Sequence, residues 1–329
     1  MIIPIGEPVC QIPSNRCPRV RIMTGAPVPN GADAVQKIEL TMEQNGSVTI
    51  FEPTEEGRYI IRKGSEVKKG KTVLPAGEVI TPGNIAVPAA FGYAKVKVAK
   101  RPRVAIFSTG TEIVEINKKP KQDQIRNSNS LMLSALCQAT GAEPHVYPII
   151  SDDLSDLKFQ ISDAVKNADI LITTGGVSVG KYDLTKLALQ ELGAEIFFDK
   201  VALKPGKPTV FGRLKKAFVF GLPGNPVSAA VTFHLFVRQL IGLMLGMNDP
   251  RLKIGNVTVG ERAKGTKDRD TYLPAKLSTD NNGRLIATPI PWLGSSDFIG
   301  FAHADAMIFI SKGKVIEKGE IAKIAFLFA

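Results

Sequence analysis

Short apolar runs alternate with amphipathic segments through the middle of the chain. The runs Val104–Phe107, His145–Ile150 and Asp169–Thr173 are typical of buried strands, whereas apolar residues recur at helical spacing over Asn127–Thr140 and Leu184–Leu192. This alternation predicts an α/β doubly wound domain whose mostly parallel sheet is covered on both faces. Ligands of such sheets bind at the carboxyl ends of the strands.

The pattern is different on either side of this region. Residues 1–70 are rich in Pro and Gly and contain short extended runs at Ser47–Phe51 and Arg58–Arg62. After Pro250, short alternating runs are separated by Gly-containing turns, which is typical of a small barrel. We therefore predict four parts: a partial β-rich domain over 1–70, a connector over 71–101, the α/β domain over 102–250, and a C-terminal β-barrel over 251–329.

Composition limits the function classes. The 329 residues carry a net charge of +11, but the basic residues are scattered and no aromatic residues are interleaved with them to stack on bases. We therefore favour an anionic small ligand over nucleic acid. The longest apolar stretch, Val227–Leu245, is interrupted by polar residues, which predicts a buried helix and no membrane span. No signal peptide is recognisable, and the three cysteines match no metal-ligand spacing, so we expect free thiols in the cytoplasm.

The Gly-rich turn Thr173–Asp183 carries the clearest chemical signal. It follows an apolar strand and leads into a helix, so its backbone N–H groups are placed to bind a phosphate. A tight connection without a ligand is the alternative. The residues predicted to form the ligand site are Gly175, Gly176, Ser178, Gly180 and Asp183.

Further polar residues follow other predicted strands. Ser108, Thr109 and Gly110 could cradle an anion next to Glu112, and Asp152 follows the next strand, where it could also be only a helix cap. Carboxylates of Glu112, Asp152 and Asp183 from neighbouring strand ends could together hold Mg²⁺ beside phosphates.

Two more segments complete the candidate site. Lys200, Lys204 and Lys207 belong to a loop that prolines and a glycine could stiffen, although a solvated loop is the alternative. The segment Gly221–Ala229 forms a second strand-to-helix turn and could be a plain turn instead. Its candidate binding residues are Pro223, Gly224, Asn225, Pro226 and Ser228.

Taken together, five motifs resemble the MoeA-type molybdopterin molybdenumtransferases, which are also similar to the C-terminal region of gephyrin. The motifs are RIMTGAPVPNGADAV from Arg21, FSTGTE from Phe107, GGVSVGKYD from Gly175, LKPGKP from Leu203 and GLPGNPVSA from Gly221. The resemblance runs from about Arg21 to the end of the chain.

The resemblance implies insertion of molybdate into adenylated molybdopterin with release of AMP, with Mg²⁺ required, in elongated homodimers. It places catalytic roles on Glu112, Asp152, Asp183, Lys200 and Lys204, the three carboxylates also being the implied metal ligands. It further implies substrate-binding roles for Thr24, Arg62 and Ser295. A MogA-type adenylyltransferase is an implied partner.

The resemblance also raises alternatives. The family carries an upstream segment with a DGYA-like motif, and we expect this chain to begin after it, which leaves a truncated, inactive pterin-binding remnant as one alternative. A MogA-type adenylyltransferase is the second, although its Gly-rich turn is of GGTG type and it lacks flanking β domains. A gephyrin-like scaffold that binds a partner peptide is the third.

Overall fold

The computed structural model describes residues 12–13, 20–45, 47–150, 153–175, 184–291 and 294–327. The chain divides into two units, Met1–Pro75 and Ala76–Ala329. The predicted α/β and barrel regions therefore belong to the same unit. Cys10 and Cys17 lie outside the described residues, whereas Cys137 is a buried free thiol, and burial raises its pKa to about 12.

The first unit contains a three-stranded antiparallel sheet in the order β1–β3–β2. Its strands are β1 (Ile12–Pro13), β2 (Thr41–Gln44) and β3 (Ser47–Ile50). Val48 and Ile50 of β3 are buried, which confirms the strand predicted there. The extended run predicted over Arg58–Arg62 is wrong, because Gly57 and Tyr59 adopt positive φ angles and turn the chain.

The second unit begins with the exposed helix α1 (Pro82–Ala90), which the side chain of Thr81 caps. An α/β domain follows, built on a six-stranded sheet in the order β7–β4–β8–β12–β11–β9, in which neighbours from β7 to β12 are parallel. Its strands are β4 (Arg103–Ser108), β7 (Glu143–Val146), β8 (Ile170–Thr174), β9 (Glu195–Phe198), β11 (Val210–Leu214) and β12 (Ala217–Leu222), with the short pair β5 (Ile113–Val114) and β6 (Ile125–Arg126) beside them.

Helices cover both faces of this sheet. One face packs against α3 (Leu154–Ala164) and α4 (Leu184–Glu191), and the other packs against α2 (Asn129–Ala139) and the helix that follows β12. Burial on both faces explains the uninterrupted apolar strands and confirms the doubly wound α/β prediction. Asp153 caps α3 by accepting a hydrogen bond from the backbone N–H of Asp156.

The strand predicted over His145–Ile150 is shifted in the structure. β7 covers Glu143–Val146, and Pro148 has no N–H to continue the ladder. Ile150 instead forms an isolated bridge with Thr109.

One long helix runs from Pro226 to Met244 as α5 (Pro226–Thr232), a π-helical segment (Phe233–Val237) and α6 (Arg238–Met244). Within the described residues it is the one helix long and apolar enough to cross a membrane, with a mean hydropathy of 1.5. However, 61% of that apolar window is buried inside the protein, as expected for a core helix. The prediction of a buried helix over this stretch is confirmed.

The C-terminal region is a closed five-stranded barrel, which confirms the predicted barrel. The order β15–β16–β13–β19–β17 closes by pairing of β17 with β15. Apolar side chains such as Val259, Leu273 and Ile308 fill the interior. The strands are β13 (Ile254–Val259), β15 (Asp270–Thr279), β16 (Leu285–Pro289), β17 (Ala306–Ile310) and β19 (Ile321–Phe326), with the small pair β14 (Ala263–Lys264) and β18 (Val315–Ile316) and the short helix α7 (Phe298–Phe301).

The barrel is joined to the α/β domain by pairing and packing. Strand β10 (Leu203–Lys204) leaves the α/β domain and pairs in parallel with the start of β15. Beside it, Val227 and Val231 of α5 pack with Met307 and Leu327 of the barrel region. The barrel is thereby held next to the start of α5, where the candidate site lies.

Candidate functional site

A cleft of about 900 Å³ lies at the carboxyl ends of the parallel strands. Its volume is in the range of ligand pockets, roughly 300–1,000 Å³. Six segments form its walls: the turn after β8, the turn after β12, the loop Lys204–Pro208, the segment from Glu112 to Asn129, the residue Arg269 before β15, and the barrel loop that contains Ser295. The cleft therefore lies where the topology of the sheet predicts a ligand.

The turn after β8 is closely packed at its first glycine. Gly175 has a φ of +89°, and a Cβ on this residue would lie 2.4 Å from the carbonyl oxygen of Thr109. A side chain would therefore strain the backbone and also force it away from β4. Gly175 lines the cleft. The other predicted residues of this turn, Gly176, Ser178, Gly180 and Asp183, lie outside the described residues.

The turn after β12 leads into the start of α5. Pro226 occupies the first turn of the helix, where no intrahelical bond needs its missing N–H. Pro223, Gly224, Asn225, Pro226 and Ser228, all predicted site residues, line the cleft. The structure thus brings this turn next to the turn after β8.

Ser295 reaches this turn from the barrel. The amide nitrogen of Asn225 donates to the hydroxyl of Ser295 at 2.8 Å. The backbone N–H of Val227 donates to the carbonyl oxygen of Ser295 at 3.2 Å. Two hydrogen bonds therefore connect the barrel loop to the first turn of α5.

The loop Lys204–Pro208 is fixed at two points. Lys204 pairs with Thr271 in the β10–β15 ladder. A Cβ on Gly206, whose φ is +117°, would lie 2.4 Å from a methyl group of Thr232, so the loop backbone lies directly against α5. These contacts place the lysines of the loop between the α/β domain and the barrel, and Lys204 and Lys207 both line the cleft.

The charge of the cleft is mainly positive. Its described lining has four cations, Arg126, Lys204, Lys207 and Arg269, and one anion, Glu112. Arg269 forms an ion pair with Asp268 at 2.9 Å. Over the described ranges, Lys204 and Lys207 form no ion pair within 4.0 Å. The described part of the cleft therefore carries an excess of positive charge, which suits an anionic ligand.

Some predicted site residues lie next to the cleft instead of in its lining. Ser108 is buried, and its hydroxyl hydrogen-bonds with Ser130 at 2.6 Å and donates to Asn127 at 3.2 Å. Thr109 is also buried, and Gly110 lies against the carboxylate of Glu112. These residues support the cleft wall, and their proposed contact with substrate stays a prediction.

The remaining predicted residues are Lys200, Thr24, Arg62 and Asp152. Lys200 is exposed and contributes to lowering the pKa of Asp199, after the larger effect of the Lys186 hydrogen bond. Thr24 and Arg62 are exposed residues of the first unit. Asp152 lies outside the described residues. Their roles stay predictions.

Sequence reasoning missed several residues that line the cleft as binding or supporting groups, namely Arg126, Asn129, Thr174 and Arg269. Lys207 was recognised as part of the proline-rich lysine loop, although only Lys200 and Lys204 were assigned to the site. Arg269 belongs to the basic run 264–269, which the sequence alone presents as surface charge. Asn129 has no local signature in the sequence, and only the tertiary structure shows its contacts with Thr174 and Gly224.

A metal site was predicted from Glu112, Asp152 and Asp183. Among the described residues, no group of three or more His, Cys, Asp or Glu side chains is arranged to hold a metal ion. Of the three predicted ligands, Glu112 alone belongs to the described part of the chain, and it lines the cleft. The metal ligands therefore stay a prediction.

Comparison with protein families gives three matches in chain order. Residues 6–92 match the MoeA N-terminal region (domains I and II), residues 105–242 match a probable molybdopterin binding domain, and residues 256–327 match the MoeA C-terminal region (domain IV). The boundaries of the second and third matches agree with the α/β domain and the barrel described above.

Individual proteins give the same result. The chain is 38% identical over 294 residues to a molybdopterin molybdenumtransferase of Staphylococcus aureus (strain COL), covering 89% of this chain and 70% of that protein. It is 37% identical over 318 residues to the protein of that name from Bacillus subtilis (strain 168), covering 94% and 73%. A solved structure of a molybdopterin biosynthesis MoeA protein from Pyrococcus horikoshii superposes with a TM-score of 0.74 at 31% identity, covering 92% and 74%.

Proposed function

The chain belongs to the MoeA family of molybdopterin molybdenumtransferases, transferases of molybdenum cofactor biosynthesis, and we propose that it inserts molybdate into adenylated molybdopterin with release of AMP. One observation carries this proposal. A single positively charged cleft combines two strand-end turns, a lysine loop and a loop of the barrel. Such a site can hold a phosphorylated pterin and an oxyanion side by side.

The lysine loop and the barrel are proposed to bind molybdate. Molybdate is a tetrahedral dianion, which favours cationic and hydroxyl donors over carboxylates. Lys204 and Lys207 supply ammonium groups, and Ser295 supplies a hydroxyl group from the barrel side. Arg269 completes this group, because its guanidinium also lines the cleft and lies 3.5 Å from the carbonyl oxygen of Leu203.

The two strand-end turns are proposed to bind the phosphorylated part of the substrate. The turn at Gly175 and the turn at Gly224 both open into the cleft, and the first turn of α5 follows the second of them. Backbone N–H groups at such turns and at a helix start favour phosphate oxygens. Ser228 adds a hydroxyl group at this end of the cleft.

Mg²⁺ belongs to the proposal as well. Glu112 would hold it together with Asp152 and Asp183, since carboxylate oxygens are the ligands that Mg²⁺ prefers. When bound, the ion would neutralise charge on the phosphoanhydride. The chain's own lysines would stabilise negative charge on the departing AMP and on the incoming oxyanion.

The location, the oligomeric state and the enzyme that supplies the substrate are also proposals. We expect a cytoplasmic homodimer that receives adenylated molybdopterin from a MogA-type adenylyltransferase. The relatives named above carry the transferase name, and a biosynthetic intermediate requires an enzyme that supplies it. Sedimentation of the purified protein would establish whether it dimerises.

The activity can be tested against the alternative adenylyltransferase. The purified protein is incubated with adenylated molybdopterin and Mg²⁺, and AMP is measured before and after addition of molybdate. We expect AMP release that depends on molybdate. ATP-dependent adenylation of molybdopterin in the absence of molybdate would instead identify an adenylyltransferase. No AMP under any condition would support the inactive pterin-binding alternative.

A further inference from the structure

Asn129, the first residue of α2, connects the two strand-end turns of the cleft. Its side-chain nitrogen donates to the hydroxyl oxygen of Thr174 at 2.8 Å and to the carbonyl oxygen of Gly224 at 2.7 Å. Thr174 is the last residue of β8, and Gly224 lies in the turn after β12. One amide group therefore contacts both walls.

The orientation of this amide is fixed by its partners. A backbone carbonyl can only accept a hydrogen bond, so the atom that faces Gly224 must be the nitrogen. Thr174 then accepts from the same nitrogen and donates its own proton to the carbonyl oxygen of Pro223 at 3.3 Å. Both hydrogens of the amide and the hydroxyl proton are thus used between the two turns.

These bonds begin where the sheet ladder ends. The last paired residues of β8 and β12 are Thr174 and Leu222. Beyond them the turns approach closely, because a Cβ on Gly224 would lie 3.6 Å from the Cα of Gly175. Asn129 therefore continues the connection between the strands into the part of the cleft where ligands would bind.

We propose that Asn129 is a positioning residue that holds the turn after β8 and the turn after β12 at the spacing the transfer reaction requires. The inference rests on the proposed function. Asn129 is uncharged, and the cations assigned to molybdate lie on other segments. Its loss should therefore misplace the reacting groups without removing the charges that attract molybdate.

The test uses the full chain and steady-state AMP release. Asn129→Asp keeps the side-chain size but sets a carboxylate against the carbonyl of Gly224, and Asn129→Ala removes the amide. We expect kcat to fall about 10- to 100-fold in both, with the KM for molybdate changed less than about threefold. Thr140→Val is the matched control, because it removes one hydroxyl hydrogen bond, to Leu136, at the other end of α2.

A variant of Thr174 tests whether Asn129 acts through its hydrogen bond to this residue. Thr174→Val keeps the buried volume and removes the hydroxyl that Asn129 contacts, so we expect its effect on kcat to be non-additive with that of Asn129→Ala. If the Asn129 variants are much less stable to unfolding than the Thr140→Val control, their activity is not informative. The test then rests on Thr174→Val alone. A kcat within about twofold of wild type would then overturn the inference.

The possible failures are distinguishable. If the wild-type protein releases no AMP on addition of molybdate, the proposed function fails. If the wild type is active and the Asn129 variants match it, only the positioning role fails. A fall in activity that appears wholly as a raised KM for molybdate would also overturn the positioning role, since it would mark Asn129 as a molybdate ligand.

Discussion

Asn225 of the α/β domain donates a hydrogen bond to the hydroxyl group of Ser295 in the barrel loop, with 2.8 Å between the two side-chain atoms. Both residues line the same cleft. The contact makes the barrel a part of the site, because Ser295 is held against the start of α5 instead of being free in its loop. The proposed molybdate site thus depends on two regions that fold around separate cores.

This contact should matter for molybdate binding. Asn225→Ala and Ser295→Ala should each raise the KM for molybdate by about three- to tenfold, because a net hydrogen bond contributes about 0.5–1.5 kcal/mol. The double variant should be little worse than either single variant. The measurement is AMP release as a function of molybdate concentration, with the exposed turn residue Asn281 changed to Ala as control. Fully additive effects would show that the two side chains act independently.

The close contact of Gly175 with Thr109 predicts a steric requirement for glycine. Gly175→Ala should lower the free energy of unfolding by more than the roughly 1–2 kcal/mol that a left-handed backbone costs an L-residue, and it should also lower AMP release. Gly193→Ala is the matched control, because its φ of +81° is similar but no atom lies within 4 Å of the added Cβ. Chemical denaturation of both variants isolates the steric part. Equal destabilisation would argue against the close approach.

Buried His234 predicts acid sensitivity of the fold. Burial, with a smaller contribution from Arg238, lowers its pKa to about 4, against about 6.5 when unfolded. Between these values the unfolded chain binds the extra proton, so stability should be full above pH 6.5 and decline as the pH falls to about 4. The loss attributable to this residue is about 3 kcal/mol at most. In urea denaturation, His234→Gln should reduce the loss of stability between pH 6.5 and about 4. Exposed His303→Gln should leave that loss unchanged.

Most of the fold can be predicted from the sequence, because buried elements require a recognisable pattern of apolar residues. Parallel strands covered on both faces must be apolar throughout, so β4, β8 and β12 are recognisable as short apolar runs. The long strand β15 is not, because Pro274 lies in its middle. That proline is tolerated where β15 changes partners, since its pairing with β17 ends and its pairing with β16 begins at Ala275.

The candidate site can be predicted from the sequence only in part, because some of its residues come together through tertiary structure alone. Gly-rich turns and the proline-rich lysine loop have local signatures, and the structure brings Gly175, Lys204 and Gly224 together in one cleft. Asn129 and Arg269 have none, because their relevance comes from segments distant in the chain. Gly224 lies 95 residues from Asn129, and Leu203 lies 66 residues from Arg269. Such contacts arise from tertiary structure and leave no pattern within a short window.

The central claim is that the positively charged cleft is where molybdate reacts with adenylated molybdopterin. The most direct test is single-turnover AMP release on addition of molybdate, comparing wild type, Lys204→Met with Lys207→Met, and a control in which the exposed barrel lysines Lys318 and Lys323 are changed to Met. We predict AMP release by the wild type and the control, and a rate at least about 100-fold lower in the cleft variant. Equal rates in all three proteins would contradict the account.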